Sequence, residues 1–230
     1  MSVKLLSDTH AATITDDDQL RIDEILAFWF MEKEANTPKI DARMDVWFGE
    51  NKAFDEQIAK EFADDVERAS AGDLDHWARD PNGRLALILL LDQFRRNIYR
   101  NTPEAFARDN MALKLCVDGV SQKMDKALQP VQRVFFYMPM QHAESVKVQD
   151  KSVKIYRRLA DSVSETQKET FGTVANFAEL HADIVRQFGR FPHRNNVLGR
   201  ANTPEEDQYL AGDIPTFGQS DTVTGQSPGP

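Results

Sequence analysis

Large apolar residues in this chain recur every three to four positions, and no stretch alternates every two for long enough to form a half-buried strand. Phe54, Ile58, Phe62 and Val66 fall at steps of four, which places all of them on one face of a helix at about 3.6 residues per turn. The same spacing predicts helices over residues 15–31, 52–69, 84–99, 102–117, 130–137, 141–161 and 165–188, with short elements at 41–48 and after Thr203. The expected fold class is all-α, with antiparallel helix hairpins in a bundle or short solenoid.

Local punctuation supports these boundaries. Thr15 precedes three aspartates, which suit the positive end of a helix dipole. Pro81-Asn82-Gly83 reads as a turn, and the largely Leu, Ile and Ala stretch that follows it reads as the central buried helix. Thr102-Pro103-Glu104 and Thr203-Pro204-Glu205 are helix starts with proline at the first helical position. Gly119 and Pro139 are expected to end the helices that precede them. Residues 1–14 are expected to form a loose arm, residues 15–211 a single helical domain, and 212–230, rich in Gly, Pro, Ser and Thr, a disordered tail. The aromatic residues Trp29, Phe30, Trp47, Phe48, Phe135, Phe136 and Tyr137 are expected in the core.

Composition excludes several function classes. A single cysteine, Cys116, precludes an internal disulfide or a multi-cysteine metal cluster, and its apolar neighbours suit a buried, inert thiol. No apolar run approaches the roughly 18 residues of a membrane span, and the N-terminus lacks a signal-peptide layout. The expected location is therefore cytoplasmic, without a membrane partner. The net charge of −9 is uneven: residues 1–83 hold 20 acids and 9 bases, leaving 17 acids and 19 bases for the rest. An acidic chain of this kind lacks the basic surface that nucleic acid requires.

The most specific sequence feature is an internal echo. Residues 93–101 and 187–195 both read Gln-Phe-x-Arg-x-x-x-Arg-Asn, five identities in nine at an offset of 94. Two helix ends leaving through one basic corner would suit a stack of related hairpins. Arginines just past a helix end also interact well with its dipole. That alone does not explain the four arginines and one histidine of residues 186–200, which contain no acid. Such a cluster needs an anion or distant carboxylates to balance it.

The segments Leu91–Arg100, Met138–Ser145 and Phe188–Asn195, with the pairs Trp29-Phe30 and Trp47-Phe48 and the run Thr203-Pro204-Glu205-Glu206, resemble the bacterial domain-of-unknown-function family 924. The resemblance spans roughly residues 22–210. It implies an all-helical, tetratricopeptide-repeat-like fold and no settled activity. The family usually carries proline where this chain has Arg95. The pattern matches at Asp92, Arg96, Asn97, His142, Glu144, His181, Arg190, His193 and Asn195.

These residues suggest three chemistries. His142 and His193 are candidate proton carriers, with Asp92 or Glu144 orienting them. Arg96, Arg190 and Arg194, with Asn97, Asn195 and His181 nearby, are candidate binders of an anionic small molecule. His142 and Glu144 are expected to project together from the first turn of a new helix. A metal would be supported by imidazole and carboxylate ligands, but no His-x-x-x-His or Glu-x-x-His pair sets two ligands on one helical face; no cofactor is assigned. The alternatives are a helical scaffold that holds an acidic or C-terminal peptide of a protein partner, and a satisfied buried network that locks the helix ends.

Overall fold

The protein, described here from a computed structural model, is placed over residues 13–30 and 46–212. The expectations for residues 1–12, for Met31, for 41–45 and for 213–230 fall outside those residues. Among the described residues every regular element is helical, so the chain is all-α.

Helix α1 spans Asp16–Phe30. Its start is fixed reciprocally: the Thr15 hydroxyl accepts from the Asp18 N–H at 3.1 Å, and the Asp18 carboxylate accepts from the Thr15 N–H at 2.9 Å. The same carboxylate accepts from Trp77 Nε1 at 2.8 Å, tying α1 to a short 3-10 turn over Asp75–Arg79. Helix α2, Lys52–Ala71, begins at an Asn51 side-chain cap and ends at Gly72, whose φ of 88° is open to glycine at little cost.

Helix α3 is the centre of the molecule. It is α-helical over Pro81–Ile88, widens to a π turn over Leu89–Phe94, and is α-helical again over Arg95–Ile98. Residues Leu85 to Leu91 are all buried, and α1 and α2 both pack on this helix. The turn expected at Pro81-Asn82-Gly83 is instead the first turn of α3. Asp80 caps it through the Asn82 and Gly83 N–H groups, and Pro81 occupies a position where its missing N–H costs nothing.

The next segment departs from expectation twice. Thr102 opens only a 3-10 turn over Pro103–Phe106, and α4 is a separate helix, Asp109–Ser121. It does not break at Gly119, because this glycine lets Phe136 and Arg84 lie against the backbone; a Cβ there would sit 2.5 Å and 2.6 Å from their atoms. A 3-10 turn over Met124–Ala127 leads to α5, Pro130–Gln141. Helix α5 carries Pro139 inside it rather than stopping before it. The proline removes one backbone bond in the last turn, a loss that the buried packing of Phe135, Phe136 and Tyr137 outweighs.

The last long helices, α6 (Val146–Ser162) and α7 (Lys168–Phe188), form an antiparallel hairpin. Its register is visible in two ion pairs, Arg186 with Asp150 and Arg157 with Glu179, whose residue numbers rise on one helix as they fall on the other. Gly189 ends α7 in the left-handed region at φ 72°. A 3-10 turn over Pro192–Arg194 follows, and α8, Pro204–Leu210, opens with a Thr203–Glu206 capping box. The expected core aromatics are buried except Phe48, which is 40% exposed.

Candidate functional site

The π turn of α3 carries Asp92, a carboxylate with no exposed surface. A π turn inserts a residue into the helical register and so re-aims the side chains around it. Asp92 Oδ1 lies 2.7 Å from His142 Nδ1 and 2.9 Å from Arg96 Nη1. Gln93 Nε2 donates to its other oxygen. Burial alone would raise the Asp92 pKa, but the charges of Arg96 and His142 and the hydrogen bonds from His142 and Gln93 hold it well below the usual carboxylate range. Asp92 is therefore ionised, and His142 donates to it from Nδ1.

His142 does not open a helix as expected. It caps the C-terminus of α5, its N–H donating to Met138 O at 3.2 Å. Glu144 lies in the loop before α6, not on a helical turn. Gln149, fully buried on α6, braces that loop by donating to the Gln141 and Ala143 carbonyls at 2.7 and 2.8 Å. Burial first, and then the Arg96 charge, lower the His142 pKa against the pull of Asp92. The imidazole is thus neutral near neutral pH, with Nε2 unprotonated on the ring edge away from Asp92.

His142 forms part of the wall of a pocket of about 360 Å³, together with Phe106, Asp109, Glu144 and Arg194. Asp109 begins α4 and accepts two hydrogen bonds of 2.9 Å from Arg96 Nη2. Glu144 accepts two from Arg200, at 2.7 and 2.9 Å, and one from the Phe191 N–H at 2.9 Å. Burial opposes ionisation of Glu144, but these donors outweigh it and lower its pKa.

Arg194 is the least compensated charge of the site. Only 6% of it is exposed. Its Nη1 donates to His142 O at 3.1 Å and reaches Asp109 only at 3.5 Å, and its buried Nε has no partner among the described residues. The guanidinium lies over the rings of Phe191 at 4.5 Å and Phe106 at 4.7 Å. Burial pulls its pKa down to about 10, an unusual value for a group that is ordinarily charged at any working pH.

The structure therefore brings Asp92, Arg96, His142, Glu144 and Arg194 to one corner. His181 stands behind it, its ring centroid 6.2 Å from that of His142, with Nδ1 hydrogen-bonded to Phe177 O at 2.7 Å. His193 packs against Phe191, with ring centroids 5.5 Å apart, and is not part of the pocket wall. Burial lowers both pKa values to about 3.

The remaining expected residues lie elsewhere or are engaged differently. Arg96 is committed to Asp92 and Asp109, which makes it a partly buried strut between the two carboxylates. Arg190 forms a two-pronged pair with Glu206 at 2.6 and 2.7 Å, and Asn195 donates to Glu206 and Asn202, so both hold α8 in place. Asn97 donates to Asp55 on α2 at 2.7 Å, beside Arg100. The two copies of the internal echo do unlike work. Arg96 and Arg190 occupy matching places in the motif, yet one pairs with Asp109 and the other with Glu206.

Apart from Arg194, the arginines of the acid-free run are balanced by carboxylates outside it. Arg186 meets Asp150, Glu179 and Asp183, Arg190 meets Glu206, and Arg200 meets Glu144. Asp109, Phe106, Gln149 and Arg200 are site residues that the sequence reading missed. The only signal for them was the need for acids opposite that run, which does not say which acids. Among the described residues no group of three His, Cys, Asp or Glu side chains is placed to hold a metal ion. No helix there is long and apolar enough to cross a membrane.

No curated protein matches the chain. The structure is similar to that of ATU0120, a protein of unknown function from Agrobacterium tumefaciens, with a TM-score of 0.70 and 35% identity over 84% of this chain and 97% of the other. The family model described as bacterial protein of unknown function (DUF924) matches residues 25–213, and the chain belongs to that family.

Proposed function

We propose that the pocket binds a small anionic molecule on Arg194, and that His142, oriented by Asp92, exchanges a proton with it. The observation that carries this reading is the unequal compensation of Arg194, buried in the wall of the pocket with an unpartnered Nε. A buried cation with incomplete pairing is costly unless a counter-charge joins it. A carboxylate or phosphate oxygen supplies that charge in the geometry a guanidinium prefers.

Charge balance gives His142 its part. The corner holds three carboxylates, Asp92, Asp109 and Glu144, against three guanidiniums, Arg96, Arg194 and Arg200. An added anion makes the corner one charge negative, and a proton on His142 Nε2 restores neutrality. Anion binding and proton uptake are thus coupled, which is the elementary requirement for acid–base chemistry of a hydrolase or lyase kind. Asp92 fixes the tautomer and stabilises the imidazolium; Glu144 and Arg200 shape the wall.

The volume of about 360 Å³ favours a small molecule. A peptide scaffold would need a surface of about 800 Å² per partner. The test is native mass spectrometry of protein incubated with a panel of small carboxylates and phosphate esters, for wild type, Arg194→Gln and His142→Gln. The expected result is a retained anion that Arg194→Gln loses. Retention of no panel member by wild type, or equal retention by Arg194→Gln, would refute the site.

A further inference from the structure

A second concavity, of about 280 Å³, lies on another part of the molecule, between the C-terminus of α4, the 3-10 turn over Met124–Ala127, α5 and α6. Its walls include Lys123, Lys126, Arg133 and Arg158, with Asp125 as the acid among them. That is a local excess of three positive charges on a chain whose net charge is −9. Lys126 lies 3.3 Å from Asp125. Among the described residues Lys123 and Arg158 have no carboxylate within ion-pair distance, and neither has Arg133. Among the described residues of the first half of the chain and in the arginine corner, by contrast, most cations are paired.

Two features make this more than a solvated basic surface. Arg133 is pinned in place, its Nε donating to Leu128 O at 2.9 Å and its Nη2 to Lys126 O at 3.1 Å. Among the described residues, its Nη1 makes no hydrogen bond. Asp125 is 2% exposed and accepts from Tyr137 O–H at Oδ2, while its Oδ1 is buried with no partner among the described residues. A buried carboxylate oxygen without a donor is costly, so the site sets an unmet acceptor beside solvent-facing cations, of which only Lys126 is paired with a carboxylate among the described residues. Val120, Ile155 and Leu159 form the apolar remainder of the wall.

The geometry points to a second binding site for a small phosphate monoester that also carries a hydroxyl group. The phosphate takes the Lys123, Lys126, Arg133 and Arg158 rim, where its two negative charges meet four cations. The hydroxyl donates to Asp125 Oδ1. A hydroxyl suits that position better than an ammonium, because an ammonium would add a fifth cation to the same cavity. The lysine and arginine rim is exposed enough for a soluble ester to reach it.

The test uses the full chain, labelled for amide NMR, titrated with glycerophosphate, with inorganic phosphate and glycerol as single-feature controls. Saturable shifts confined to the Val120–Asp125 segment, Arg133, Tyr137 and Arg158 are expected. Glycerophosphate should bind more tightly than either control. Arg158→Ala and Lys123→Ala change exposed side chains, keep the fold, and each should weaken binding about tenfold or more. Three results would overturn the site: no saturable shift, equal affinity for inorganic phosphate and glycerophosphate, or affinity that survives both substitutions. Binding to phosphatidylglycerol vesicles without binding of the free ester would overturn the soluble ligand in favour of a lipid headgroup.

Discussion

Asp92 Oδ1 and His142 Nδ1 stand 2.7 Å apart, joining the π turn of the central helix to the C-cap of α5. The contact holds a neutral imidazole against an ionised, fully buried carboxylate, and the rest of the corner is built around it.

Removing that carboxylate charge has a signed pH dependence. The folded-state pKa of Asp92 lies below its ordinary value, so its contribution is present above an unfolded pKa of about 3.9 and is lost as pH falls below it. Asp92→Asn is expected to cost about 2–3 kcal/mol near neutral pH, since it leaves Arg96 and His142 short of a buried partner. Urea unfolding of both proteins should show that gap narrowing below about pH 4.

The buried histidines act at higher pH. His181 and His193 titrate at about 3 in the folded chain, against about 6.5 when unfolded. A lowered histidine pKa stabilises the fold above the unfolded value, and that stability drains away as pH drops from about 6.5 toward 3. The melting temperature should therefore fall steadily on acidification below about pH 6.5, and His181→Leu should make that slope shallower. An unchanged slope in the variant would remove His181 from the account.

Arg190 separates support from binding. Its partner Glu206 is buried and also caps Thr203, so Arg190→Ala should loosen α8, seen as faster amide exchange over Pro204–Leu210. Retention of the pocket's anion should survive, because Arg190 is not part of its wall. Loss of the anion in Arg190→Ala would restore the clamp role that the sequence suggested for it.

Gly119 tests the packing of α4 against α5. Alanine gains about 1 kcal/mol of helix propensity, but its Cβ meets Phe136 and Arg84 at 2.5 and 2.6 Å. Overpacking of this kind costs about 1–3 kcal/mol. Gly119→Ala is expected to be destabilising by about 1 kcal/mol in chemical unfolding, and a stabilised variant would mean the helices part easily.

Much of the fold was legible because it rests on local chemistry. The α2 stripe, the Gly72 and Gly189 ends and the Thr203 cap follow from neighbouring residues alone. What failed was set by tertiary context. Gly119 and Pro139 read as breakers, yet packing on Arg84 and Phe136 carries α4 through the first, and α5 absorbs the second. For the site, the sequence named Asp92, His142, Glu144 and Arg194 within a larger set, and these four lie together, whereas Arg190, Asn97 and Asn195 of that set do not join them. It could not separate the fully paired arginines from Arg194, whose pairing is incomplete. That division depends on Asp109 and Glu206, acids remote in sequence from the charges they neutralise.

The central claim is that anion binding in the pocket draws a proton onto His142. The direct measurement is the NMR titration of the His142 imidazole, with and without a saturating amount of the anion retained in native mass spectrometry. The midpoint is lowered in the free protein and should rise when the anion is bound, with the rise abolished in Arg194→Gln. A midpoint that is unmoved or lowered by the bound anion would contradict the coupling, and with it the acid–base reading of the pocket.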